Sequence, residues 1–194
     1  PGSRSEGHLT VPQHNLTRDE ARERSANVDV SSYEHTLILT GVGESFRVRS
    51  RIRFTASSDS TTFIDAITAS VERVRLNGTD LDLAEVVAPA RITLPGLAAE
   101  NELIVDAHFS YMNTGEGLHR FVDPIDDEVY LYSQFEVPDA RRVFPVFEQP
   151  DIKSPYSFTV VAPEKWTVVS NSPTPTPSDP KETFAELGET PQPG

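Results

Sequence analysis

The chain of 194 residues contains no cysteine. That excludes a disulfide framework, a thiolate metal site and a cysteine nucleophile. Nor is there any apolar run near the roughly 20 residues that a transmembrane helix needs, so no membrane partner is expected. No apolar stretch follows a basic start, so no secretory signal is read and the expected compartment is cytoplasmic. Positive charge is scarce as well: 17 Lys and Arg stand against 30 Asp and Glu, a net charge of −13. A nucleic-acid partner needs a basic face for the phosphate backbone, and none is predicted. Short catalytic signatures are missing: there is no G-x-S-x-G, P-loop, dinucleotide fingerprint or H-E-x-x-H. The histidines at 8, 14, 35, 108 and 119 form no H-x-x-x-H pair, so this chain alone predicts no metal site.

What is present is a β pattern. Residues 1–15 are polar and patternless, which predicts a mobile leader. Thr17-Arg18-Asp19-Glu20 is a capping box and predicts a short helix over 18–25. From Ser32 the period becomes two, with Tyr33, His35, Leu37 and Leu39 on one face. The clearest strand is 46–54, with apolar residues on one face and Arg47, Arg49, Arg51 and Arg53 on the other. In so acidic a chain, those arginines are expected to pair with carboxylates on neighbouring strands. Further strands are read at 63–66, 70–76, 91–94, 102–111, 129–135, 156–161 and 166–170. Asn77-Gly78 marks a hairpin turn, and 113–127 reads as a loop. Beyond Asn171 the composition shifts to Pro, Thr, Ser, Glu and Gly. The expected division is therefore a leader and short helix over 1–30, a β domain over 31–172, and a Pro-rich surface loop or tail over 173–194. The fold class is mainly β: an antiparallel double sheet or β-sandwich-like domain with one short N-terminal helix.

The stretch 131–150, LYSQFEVPDARRVFPVFEQP, carries the densest polar chemistry. Its prolines rule out one long helix or one central strand, so a short strand should run into an irregular segment. On an extended backbone Gln134 and Glu136 point the same way, and Phe135 points oppositely into packing. A carboxylate beside an amide suits a free α-amino group, because the carboxylate accepts from an ammonium and the amide both donates and accepts. The same two side chains can instead simply satisfy nearby backbone, and the residues alone favour that reading. Asp139 with Arg141 or Arg142, and Glu148 with Lys153, read as ion pairs that shape the loop.

The segment as a whole resembles the N-terminal domain of the aminopeptidase N family of zinc metallopeptidases. The resemblance rests on Ser133-Gln134-Phe135-Glu136, Asp139-Ala140-Arg141-Arg142, Phe144-Pro145-Val146-Phe147-Glu148-Gln149-Pro150 and Lys153. The loop TGEGLHRFVDP, residues 114–124, is similar to the bacterial branch. Val146 stands where the family often has Cys, a change expected to affect packing only. The resemblance implies a saddle-shaped β domain covering one side of the active site of a larger enzyme that removes N-terminal residues from peptides. It implies Glu136 as the residue that binds the substrate's free amine, with Gln134 beside it lining the pocket for the first side chain. The family's zinc ligands and its G-x-M-E-N motif are absent from this chain. The resemblance therefore implies that zinc is held by a downstream catalytic domain and that this piece is inactive alone. It also implies that the domain can stop short of its last strands. The alternative is a stand-alone β-sandwich module that binds peptides without catalysis.

Overall fold

A computed structural model describes residues 15–188. The polar leader, apart from Asn15, lies outside the described residues. Thr17 opens helix α1 (Arg18–Asn27) through the predicted capping box. Its hydroxyl accepts from the Glu20 amide at 3.3 Å, and the Thr17 amide donates to the Glu20 carboxylate at 2.8 Å. The helix has little apolar surface and is held to the domain by charge. Buried Arg24 donates to Asp65 at 2.6 Å and to Gln149 at 3.1 Å. Glu20 meets Arg91 at 2.5 Å. Both arginines lie over the Phe63 ring, at 4.9 and 4.0 Å from its centroid. That cation–π contact compensates Arg24 Nη2 and Arg91 Nε, which are buried without a hydrogen-bond partner.

The strands are β1 (Val28–Ile38), β2 (Ser45–Ala56), β3 (Thr62–Asp65), β4 (Ser70–Leu76), β5 (Thr79–Asp80), β6 (Val87–Ala88), β7 (Arg91–Leu94), β8 (Glu100–Ser110), β9 (Gly117–Val122), β10 (Val129–Gln134) and β11 (Tyr156–Val161). A one-turn helix, α2 (Leu83–Val86), precedes β6. The main sheet has the order β11-β1-β2-β8-β4-β5; β3-β7-β6 form a second sheet, and β10-β9 a two-stranded ribbon. The period-two residues became the core as expected: Tyr33, Leu37, Val48, Ile52, Phe54, Leu103, Val105 and Phe109 are all buried. The opposite face of β2 is the predicted charge lattice. Arg47 pairs with Glu72 at 3.0 Å, Arg49 with Asp106 at 2.5 Å, Arg51 with Glu34 at 3.8 Å, and Arg53 with Glu102 at 3.3 Å. Asp106 also receives Arg73 at 2.8 Å. Burial alone would raise its carboxyl pKa, but the two guanidiniums outweigh burial and hold it below the usual range. At the Asn77-Gly78 turn both residues take positive φ, 50° and 80°, and β4 folds onto β5.

Four expectations are corrected. First, the supposed loop 113–127 contains strand β9, which pairs antiparallel with β10; its turn-rich flanks hid it. Second, no strand forms over 166–170. Trp166 instead covers Gly41, where φ is 70° and an added Cβ would come within 2.5 Å of the indole. Packing against that turn takes the place of a ladder. Third, the Pro-rich tail contains helix α3 (Lys181–Leu187). Its Leu187 is buried, and its Glu186 carbonyl accepts from Arg49 at 2.6 Å. Fourth, β11 runs parallel to β1. The chain arrives there by a long crossover rather than a hairpin, as parallel pairing requires.

Candidate functional site

Gln134 is the last residue of β10, and Glu136 lies two positions further on. Their side chains meet, as alternation along an extended backbone predicts. The Gln134 Nε2 lies 3.5 Å from the Glu136 carboxylate, and the Gln134 carbonyl oxygen accepts a hydrogen bond from the Glu136 amide. Phe135, between them, turns inward and meets the buried Phe144 ring edge-on at 5.4 Å. Gln134 thus fixes the backbone of Glu136 while Phe135 ties the strand end to the core. Both polar side chains are exposed. Among the described residues no Lys, Arg or His forms a salt bridge with Glu136. The backbone-satisfying reading is partly met, because Gln134 does bond a backbone amide. The Glu136 carboxylate itself has no cationic partner among the described residues.

The turn after Glu136 is pinned at each step. The Val137–Pro138 peptide is cis. Arg141 is buried and donates through Nε to the Pro138 carbonyl at 2.9 Å, while its amide donates to Glu148 at 2.7 Å. Glu148 is therefore turned onto backbone, and the expected pair with Lys153 is not the contact it makes. Burial pushes the Glu148 carboxyl pKa up, and the Arg141 amide partly opposes this. The Asp139–Arg142 pair does form, at 2.8 Å. Arg142 also reaches Glu116 at 3.4 Å, so it joins the turn after Glu136 to the start of β9. Gly117, paired with Gln134 across the ribbon, permits this approach. Its φ is 61°, and an added Cβ would lie 2.9 Å from the Arg142 Cβ. The rest of the segment is core rather than site: Val143, Phe144, Val146 and Phe147 are buried, and the Phe147 amide donates to the Tyr33 hydroxyl at 3.1 Å.

Sequence reasoning missed the neighbours on the ribbon. Tyr132 is paired with His119, and the rings stack with centroids 4.6 Å apart. The alternation of β10 put Tyr130, Tyr132 and Gln134 on one face, a signal that was available once β9 was recognised as its partner. A groove of about 860 Å³ opens between α1 and the 137–151 segment, lined among others by Ala21, Pro138 and Glu148; Gln134 and Glu136 do not line it. No cluster of three or more His, Asp or Glu able to hold a metal exists among the described residues. No helix there is long and apolar enough to cross a membrane.

Comparison with known proteins defines the class of this β domain. Residues 30–191 match the Peptidase M1 N-terminal domain, and the chain belongs to that family. It is 56% identical over 173 residues to aminopeptidase N of Streptomyces lividans, a match covering 87% of this chain and 20% of that protein. It is 28% identical over 126 residues to human aminopeptidase N, covering 58% of this chain and 13% of the relative. The chain thus spans about a fifth or less of the length of these relatives. The native structure of yeast LTA4 hydrolase shares the fold, with a TM-score of 0.61 at 16% identity over 82% of this chain and 26% of that one.

Proposed function

We propose that this domain is the substrate-anchoring, N-terminal part of a cytoplasmic zinc-dependent aminopeptidase acting on peptides with a free N-terminus. The observation that carries this reading is the exposed Glu136 carboxylate, fixed by Gln134 and lacking a cationic partner among the described residues. An α-ammonium supplies the missing charge and up to three N–H donors. Gln134, alongside, is placed to line the space for the first side chain. Such an anchor selects for chain ends. An internal peptide bond brings no cation, so the carboxylate would lose water without gaining a partner. The zinc belongs to the catalytic part of the enzyme, since H-E-x-x-H is absent from this sequence. When bound there it polarises the scissile carbonyl and activates water. The task of this chain's residues is to bind and orient the amine, and the chain alone is expected to be inactive.

The test is Glu136→Gln in the enzyme that carries this domain, assayed on an aminoacyl substrate. A hydrogen bond to a charged group is worth about 1.5–3 kcal/mol, so kcat/KM should fall roughly tenfold to a hundredfold. Kinetics equal to those of the parent enzyme would overturn the assignment of Glu136 as amine anchor.

A further inference from the structure

The turn after Glu136 has little packing of its own. Phe135 seats the strand end on Phe144, but Glu136, Val137 and Pro138 are all exposed, Val137 to 58%. On that side of Glu136 the Pro138 carbonyl accepts from Arg141 Nε at 2.9 Å. The hold this exerts depends on how the buried Arg141 side chain is itself oriented. A guanidinium is planar, so a contact at one Nη helps to fix the direction in which Nε–H points. One such contact comes from Asn15, whose side-chain oxygen accepts from Arg141 Nη2 at 3.2 Å across 126 positions of sequence.

Asn15 is held in turn. Its carbonyl accepts from Arg91 Nη2 at 3.3 Å, and the Glu20 carboxylate accepts from Arg91 Nη1 at 2.5 Å and from Nη2 at 3.2 Å. Glu20 is the residue that closes the capping box of α1. A route of hydrogen bonds therefore runs from the first turn of α1 through Arg91 and Asn15 to Arg141, and on to a carbonyl two residues from Glu136. A second route from the same helix meets Arg141 at its backbone. Arg24 pairs with Asp65 at 2.6 Å, Asp65 accepts from the Glu148 amide at 3.1 Å, and Glu148 accepts from the Arg141 amide at 2.7 Å. Asn15 and Arg141 both line the groove between α1 and the 137–151 segment, so their contact bridges its two walls. Asn15 is exposed and belongs to neither the core nor a strand, so its side chain is not what holds the fold together. Its contact is aimed instead at the residue that closes the turn, and a carboxylate that orients a substrate loses rate when it is slightly displaced. We infer that Asn15 is a positioning residue: through the planar guanidinium of Arg141 it sets the place of the Glu136 carboxylate, an inference that rests on the proposed role of Glu136 as amine anchor.

A double-mutant cycle in the enzyme that carries this domain tests it, assayed on an aminoacyl substrate. Asn15→Ala should lower kcat/KM about three- to tenfold, the range expected for the loss of one hydrogen bond. Asn15→Asp, which keeps an acceptor for Arg141, should restore most of that loss. In the Glu136→Gln background Asn15→Ala should cost nothing further, because the carboxylate it positions is already gone. An equal loss in both backgrounds overturns the inference, since a merely structural residue costs the same whichever side chain stands at 136. Parent-like kinetics for Asn15→Ala overturn it as well. The short chain of 194 residues gives a second reading. The amide proton and nitrogen shifts of Glu136 and Val137 should move in Asn15→Ala and return toward their parent positions in Asn15→Asp, with the melting temperature unchanged. Unmoved amides contradict the route. The two proposals fail separately. Moved amides with a kinetically silent Glu136→Gln keep the route from Asn15 and remove the anchor. Unmoved amides with a damaging Glu136→Gln remove the route and keep the anchor.

Discussion

Replacing Asp65 by Ala should destabilise this domain more than any change at Gln134 or Glu136. Asp65 and Arg24 have side chains only 2% and 1% exposed, and their charged atoms are 2.6 Å apart. The Asp65 carboxylate also accepts from the Glu148 amide at 3.1 Å, and Arg24 donates to Gln149 at 3.1 Å. Removing the acid leaves a guanidinium buried beside Phe63 and Phe147 with one neutral side-chain acceptor and no counter-charge. Breaking a buried pair in this way costs about 3–5 kcal/mol. For a chain of this size about 1 kcal/mol moves the melting temperature about 2–4 °C, so the loss should be roughly 6–20 °C. Thermal unfolding followed by circular dichroism measures it. Removing both charges with apolar side chains, Arg24→Met with Asp65→Val, should recover much of the loss, because the cost lies in the uncompensated charge rather than in the absence of the pair. A fall of less than about 1 kcal/mol for Asp65→Ala, within the range of an exposed pair, would refute the argument that α1 is held by this contact.

Four other outcomes are expected. Acidification should weaken the domain in two windows. Burial lowers the His35 pKa from 6.5 to about 3, so its contribution is full above pH 6.5 and is lost as pH falls toward 3; His35→Phe should flatten the stability curve there. Glu20, whose hydrogen bond from Arg91 lowers its pKa from 4.5 to about 2, contributes above pH 4.5 and loses that contribution as pH falls to 2; Glu20→Gln should remove this second slope in denaturant titrations. Gly117→Ala should cost the roughly 1–2 kcal/mol of a left-handed residue plus a clash with Arg142, whereas Gly96→Ala, at φ 60° with nothing within 4 Å, should cost the conformational part alone. Equal melting temperatures for the two alanine variants would contradict the close approach at Gly117. Glu136→Gln, at an exposed position, should leave the melting temperature of the short chain unchanged while it lowers kcat/KM in the enzyme.

Local rules made much of this fold legible. The capping box at Thr17, the alternation of β2 and β8 and the turn at Asn77-Gly78 depend on residues a few positions apart, and each appeared where the sequence indicated. The arginine stripe could be assigned to carboxylate pairing because a strand's outward residues face those of its neighbours. What stayed hidden depends on distant partners. Nothing near Arg24 announces Asp65, 41 positions away. Trp166 and Gly41 are likewise joined only by folding, so the β-rich run at 166–170 has the pattern of a strand although its tryptophan is engaged at that turn. At the site, the period of two put Gln134 and Glu136 on one side. It could not show that Glu136 would lack a cation among the described residues, nor that β9 would bring His119 against Tyr132.

The division of labour within residues 134–150 is the one that the proposed amine anchor would require. A carboxylate that must hold an ammonium against a reacting centre is useful only if its position is fixed, since about 1 Å of misplacement is costly to rate. Glu136 lies beyond the end of a strand, where no ladder holds it. Its position is instead set from three directions. Gln134 bonds its amide, Phe135 is seated on Phe144, and Arg141 closes the turn onto the Pro138 carbonyl. Arg142 then joins Asp139 to Glu116, so the two sides of the ribbon end cannot separate without breaking an ion pair. The arginines after Asp139 are therefore not ligands, although their charge and their nearness to Glu136 would suggest it. They are committed to the turn, so the Glu136 carboxylate, which no cation among the described residues pairs, stays exposed with the polarity that the proposed amine anchor requires.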